Sequence, residues 1–254
     1  MDWSKAKNIL IAALLITNLM LGMAIYSNVS GPGSREMNEM IQNTIRLLED
    51  HDILVEEDRI PGRSERLGVL SVRYRTVPRD LIIASISESG ISLADDASEE
   101  AYCQAAEQLL TAVGIPMEYH VYEELTESGE LHLVRFGTEF EGYFLDNAKI
   151  QVSFRKGTPE DISAVWAEPV SMGQNRKRVM PATTALVNFM TMIEQERSQD
   201  PSLASAPVTV ENIGLVYWLE GYTETGGVSE DTAVPYWCIR YNDGKSAYIA
   251  AYEE

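Results

Sequence analysis

Three histidines, two cysteines and several short runs of carboxylates are the side chains of this 254-residue sequence that could do chemistry. Their spacing argues against it. The sequence has no phosphate-cradling glycine loop, no Gly-x-Ser-x-Gly elbow, no His-Glu-x-x-His and no Cys-x-x-Cys, motifs that mark many nucleotide-binding proteins, serine hydrolases, zinc proteases and structural zinc sites respectively. His120 and His132 fall in neighbouring strand-like segments and could meet across a hairpin, but no third zinc ligand stands at a recognisable distance. They read as ordinary strand histidines. His51 follows a helix, where a cation near the C-terminus is favoured. Asp95, Asp96, Glu99 and Glu100 read as the solvated first turn of a helix, and Glu56, Glu57 and Asp58 as an exposed strand or turn. Cys103 in a helix and Cys238 in a strand read as two separate buried thiols, since two cysteines make no disulfide framework. The expectation is a protein with no catalytic residue, no metal and no cofactor.

Binding is better supported than catalysis. Tyr217, Trp218, Tyr222, Tyr236, Trp237, Tyr241, Tyr248 and Tyr252 crowd the last 40 residues. In strands such rings pair across the sheet, and Tyr and Trp also anchor interfaces. Trp218, Tyr236 and Trp237 are the candidates for contact with an extracytoplasmic partner.

A second candidate surface lies near the N-terminus. Residues 8–34 carry no charge, and residues 9–26 are 18 residues dominated by Ile, Leu, Met and Ala, enough to cross a bilayer core. Lys5 and Lys7 precede the run, which places the N-terminus in the cytoplasm and everything after Tyr26 outside. A cleaved signal is the rival reading, but its apolar core is shorter and ends in a small-x-small site, which Met23 to Tyr26 does not supply. Either reading exports the rest of the chain. Inside the run, Asn18 and Gly22 are one helical turn apart. With Ile11, Leu14, Leu15 and Ile25 they form a stripe holding one polar amide and one small groove. Such a stripe suits a neighbouring transmembrane helix, because an amide in hydrocarbon needs a partner.

These candidates need a scaffold. Residues 1–8 read as a cytoplasmic N-terminus, 9–26 as the transmembrane helix and 27–34 as a Ser/Gly/Pro linker. Helical periodicity marks 35–50 through Met37, Met40, Ile41, Ile45 and Leu48. It returns at 95–113, closed by Gly114 and Pro116, and again at 181–197. Strand-like segments lie at 53–60, 68–75 and 81–87. Others follow at 117–125, 131–137, 142–145, 149–154 and 162–167, with a turn at Asp146 and Asn147. The C-terminal part reads as strands 208–220, 233–241 and 246–252, the last two joined by an Asn-Asp-Gly turn. Helices and strands come in blocks, which argues an α+β fold with mostly antiparallel sheets and about three helices. Two subdomains, 35–140 and 141–254, are expected. The net charge of −19 makes nucleic acid and anionic lipid surfaces poor partners.

Both ends of the chain resemble the YycI (WalI) family of single-pass regulatory proteins from Gram-positive bacteria. The opening Met1-Asp2-Trp3-Ser4, running into the apolar segment, carries the likeness. So do Leu215 to Tyr222, the Pro-containing strand Ala233 to Arg240 with its Trp, and the Asp-Gly turn leading into Ser246 to Tyr252. The segment from Ile53 to Pro61 is also similar, whereas residues 65–180 are only compatible. The resemblance implies an α+β exported domain with no known catalytic residues. It implies association with a YycH-like single-pass protein and with a sensor histidine kinase of the WalK/YycG type, in the cell membrane, in control of cell-wall metabolism. The function expected is therefore non-enzymatic regulation of that kinase through transmembrane and extracytoplasmic contacts. The alternative is an anchored or secreted binding module, such as a protease inhibitor or wall-ligand binder. A surface hydrolase lacks any nucleophile–base arrangement.

Overall fold

The computed structural model describes residues 34–252 apart from 64, 95, 200–206, 220–229 and 243, together with Leu14 and Asn18. In chain order, helix α1 (Ser34–Glu49) leads to strands β1 (Ile53–Val55), β2 (Arg66–Leu67) and β3 (Leu70–Arg75). Helices α2 (Arg79–Glu88) and α3 (Glu99–Ala112) follow. Next come β4 (His120–Ser128), β5 (Leu131–Phe140), β6 (Tyr143–Arg155), β7 (Thr158–Ala164), β8 (Trp166–Met172) and β9 (Lys177–Arg178). Helix α4 (Ala182–Gln199) precedes β10 (Val208–Leu219), β11 (Glu230–Tyr241) and β12 (Lys245–Ala250).

Ten of these strands join one sheet along the path β4-β5-β6-β10-β11-β3-β8, with β7 beside β6, β1 beside β10 and β12 beside β11. Strands β2 and β9 pair separately as a short ribbon. Pairing in the large sheet is antiparallel except at β1–β10 and β6–β10. The sheet takes strands from both sides of residue 140. Its two parts meet at a thin seam, where among the described residues a single pair, Tyr217–Leu145, joins β10 to β6. There the Asn147 side chain stands in for a peptide group. Its amide donates to the Leu219 carbonyl at 2.8 Å, and its oxygen accepts the Leu219 N–H at 3.0 Å.

Alternation along the strands puts one face against helices. Val134, Phe136, Ile150, Val152 and Phe154 are buried under α3, whose Tyr102, Ala105, Ala106, Leu109 and Leu110 recur at helical spacing. Ser98 starts that helix by accepting the Ala101 N–H at 3.3 Å, the usual work of an N-cap serine. On the other half, α1 and α4 cover Ile213, Trp237, Ile239, Tyr241 and Ala247. The inner stripe of α1 is Met37, Ile41, Thr44 and Leu48, while Met40 is 41% exposed. Between the halves, Tyr217 is fully buried with Leu70, Leu145, Ala148 and Leu219. Its hydroxyl donates to the Gly68 carbonyl at 2.8 Å.

Sequence and structure part in several places. The strand expected at 53–60 ends at Val55 and gives way to a 3-10 turn over Glu57–Arg59, and the segment expected at 162–167 is divided between β7 and β8. The expected fold class, α+β with an N-terminal transmembrane helix and about three helices, is corrected. Among the described residues there are four α-helices, and none is long and apolar enough to cross a membrane. The longest of these, α4, has 18 residues but carries Glu194, Glu196 and Arg197. The span expected at 9–26 lies outside the described residues except for Leu14 and Asn18, both helical and exposed. The strand expected at 81–87 is helix α2. Pro78 fixes its entry with φ −58° and accepts the first N–H groups of the turn, and burial of Ile82 against the α3 core overrides the β-branched composition. The turn expected at Asp146 and Asn147 is a bulge inside the continuous strand β6. Gly137 pairs with Lys149 and Thr138 with Leu145, so residues 146–148 have no partners on β5.

Candidate functional site

The face of β10, β11 and β12 away from the helices is not covered in the same way. A register shift between Val210 and Asn212 sets the alternation of β10 so that Tyr217 points into the core and Trp218 points out. On β11, Tyr236 shares that outer face. Trp218 and Tyr236 are half-buried with ring centroids 6.4 Å apart, and Tyr248 of β12 lies 4.3 Å from Trp218. Two of the three extracytoplasmic candidates are thus brought together. Trp237 is not among them, because period-two alternation turns it to the opposite face. It is 1% exposed, and its indole N–H donates to the Met180 carbonyl at 3.0 Å. Sequence reasoning did not single out Tyr248. Counting back from the Asn-Asp-Gly turn finds it: the hairpin register pairs Tyr248 with Cys238 and Ala250 with Tyr236.

This face is concave. The Tyr248 hydroxyl on β12 reaches Asp146 in the β6 bulge and hydrogen-bonds its carboxylate, although β10 and β11 lie between. Burial, and then the bond to Asp146, push the Tyr248 phenol well above its usual range. Beyond Tyr248 the face opens into a cleft of about 650 Å³ lined by Glu123, Arg135, Phe144, Lys149 and Arg240. Lys149 is its hub. Its ammonium pairs with Glu123, lies 3.5 Å from Asp146 and sits 6.0 Å above the Phe144 ring.

Bulges aim this constellation. On β4, Tyr122 pairs with Phe136 and Glu124 with Arg135, so Glu123 is the extra residue. On β6 the extra residues include Asp146. Bulges re-aim side chains in this way and concentrate at sites. Gly137, directly opposite Lys149, makes room: a Cβ there would collide with Glu123 Oε1. The arrangement offers a partner three aromatic surfaces and a set of paired charges that can exchange partners.

The residues with reactive chemistry are placed elsewhere or held inert. His120 pairs with Thr138 and His132 with Glu127, at opposite ends of the β4–β5 hairpin. His120 is 6% exposed, and burial pulls its imidazole down to about 4. Its Nδ1 lies 3.3 Å from the Thr138 hydroxyl. His132 stacks on Tyr102 at 4.5 Å. Both cysteines are free thiols. Burial, with Glu107 close by, pushes Cys103 up to about 11, and burial also raises Cys238, which makes both poor nucleophiles. Among the described residues no group of three or more His, Cys, Asp or Glu could hold a metal ion. Of the stripe near the N-terminus, Ile11, Leu15, Gly22 and Ile25 lie outside the described residues.

No protein-family model matches the chain, and no curated protein matches it. Among solved structures it is similar to the crystal structure of an uncharacterized protein from Eubacterium rectale ATCC 33656, at 9% identity and a TM-score of 0.36. The similarity covers 60% of this chain and 51% of that one, about half its length. So loose a likeness carries no argument about fold or function.

Proposed function

We propose that the chain is a non-enzymatic regulator that binds other proteins on the outer side of the cell membrane. Its partners in this reading are a sensor histidine kinase of the WalK/YycG type and a YycH-like protein, and the process governed is cell-wall metabolism. The observation that carries the reading is the concave aromatic face of Trp218, Tyr236 and Tyr248. It lies on the three strands whose sequence resembles the closing pattern of YycI-like proteins. Rigid rings with little side-chain entropy to lose are good interface anchors, and the Lys149 cluster beside them supplies charge that orients a partner. Regulation would follow if one kinase conformation binds this face better than the other, since only differential affinity shifts an equilibrium.

The test is site-specific photo-crosslinking in living cells. A crosslinker at Trp218 or Tyr236 is expected to capture the kinase or the YycH-like protein, and one at exposed Lys156 is expected to capture neither. Capture of wall fragments or of a secreted protease at Trp218 would favour a ligand-binding or inhibitory module, the use to which a cleft of about 650 Å³ is suited. Adducts with neither class would remove the proposal.

A further inference from the structure

Arg66 and Arg178 face one another directly across the β2–β9 ribbon, and both are exposed. Like charges placed opposite in a sheet are destabilising. The chain has 39 acidic residues against 20 lysines and arginines, so acids to separate the pair are plentiful. Yet among the described residues neither guanidinium has an ion-pair partner. Residues 173–180 add Arg176 and Lys177 with no acid among them. Among the described residues Arg176 has only a marginal ion pair, 3.9 Å from Glu141 with both side chains exposed, and such pairs contribute little.

The ribbon is a rigid platform. Its back is anchored by the buried side chains of Leu67 and Val179. The Tyr252 hydroxyl donates to the Leu67 carbonyl at 2.6 Å, and Lys177 lies 5.6 Å over the Tyr252 ring. Met180 donates its N–H to the Ala251 carbonyl at 2.8 Å, and Val179 donates to the Glu65 carbonyl at 3.0 Å. Gly68 abuts the backbone of Gly173 so closely that no Cβ fits. The backbone positions of two arginines are therefore fixed opposite one another on the exposed side of this frame.

We propose that this ribbon docks a short acidic segment of a partner protein, one that sets two or three carboxylates along an extended stretch. The planar guanidinium fork matches a carboxylate through two parallel hydrogen bonds, which a lysine cannot reproduce. The size of the patch selects the occupant. A long polyanion or an anionic membrane would meet the acidic remainder of the surface along most of its footprint. A segment a few residues long need touch only the ribbon. The inference is independent of the aromatic face, and each can fail without the other.

The full chain is tested by fluorescence anisotropy against a labelled peptide carrying three glutamates at alternate positions. The pair Arg66→Gln with Arg178→Gln should weaken binding by about tenfold or more. Arg155→Gln with Lys156→Gln, an equal charge change elsewhere, should weaken it less than about twofold. The ribbon variant should unfold at the same temperature as the parent or higher, because a repulsion is relieved. Arg66→Lys with Arg178→Lys keeps charge and fold but should still weaken binding severalfold, since the fork is lost. The inference is overturned if the parent does not bind the peptide, or if the lysine pair binds as well as the parent. It is equally overturned if phosphate, polyphosphate or phosphatidylglycerol vesicles bind through these arginines while the peptide does not.

Discussion

Asn147→Ala tests whether a single side chain joins the two parts of the sheet. In the parent, the Asn147 amide makes two hydrogen bonds to the Leu219 backbone, at 2.8 and 3.0 Å. Among the described residues, only the Tyr217–Leu145 pair adds a ladder contact between β6 and β10. Leu219 is 2% exposed, so its N–H and carbonyl have little access to water once the amide is gone. A neutral hydrogen bond is worth about 0.5–1.5 kcal/mol net, and an orphaned buried group costs about 1–3 kcal/mol. Two bonds lost together should destabilise by about 2–4 kcal/mol, a fall in unfolding midpoint of roughly 5–15 °C for a chain of this size. Thermal and urea unfolding measure the loss, and amide exchange at Leu219 locates it. The exposed Asn212→Ala should move stability by no more than about 0.5 kcal/mol. A loss below about 1 kcal/mol for Asn147→Ala, or unchanged protection of Leu219, would refute the view that this amide substitutes for a peptide group.

Two further predictions probe other parts of the argument. His120 titrates at 6.5 when free and at about 4 in the fold, because burial disfavours its charged form. The unfolded chain thus takes up the proton first, so this residue leaves stability intact above pH 6.5 and lowers it as pH falls from 6.5 towards 4. The drop is about 3 kcal/mol in all. His120→Gln should remove that part of the acid dependence, and an unchanged pH–stability curve would contradict it. Trp237→Phe orphans the Met180 carbonyl and leaves a gap in the core, so it should cost about 2–4 kcal/mol. Trp218→Phe on the outer face should cost less than about 1.5 kcal/mol, and unfolding curves showing equal losses would disprove the assigned alternation.

What the sequence made legible is what single elements decide for themselves. The apolar spacing of Tyr102, Ala105, Leu109 and Val113 locates α3, and Gly114 with φ +85° ends it. The Asn-Asp-Gly turn locates the β11–β12 hairpin. The helix at 79–88 was not legible: Leu81, Ile82, Ile83 and Ile86 favour a strand by type, and only the α3 core that Ile82 enters decides otherwise. Asp146 and Asn147 have the composition of a turn, and the same residues serve equally well as a bulge. Which of the two they form depends on whether β5 keeps its pairing on both sides of them, a long-range fact.

The candidate site follows the same division. Aromatic residues at 218 and 236 lie on the strands that form the aromatic face, but a neighbour such as Trp237 can be assigned only when the face of each strand is known. One bulge residue in β10 is enough to invert that assignment. The polar half of the site is further from view. Glu123 and Asp146 lie 26 and 3 positions before Lys149 in sequence, and nothing in their spacing couples them. They converge because two separate strands each carry surplus residues at the same height in the sheet, with Gly137 leaving the space between. A sheet without those bulges would keep its core, its helices and its hairpins. It would lose the cleft, because Glu123 and Asp146 would return to the alternation of their strands and Lys149 would face neither.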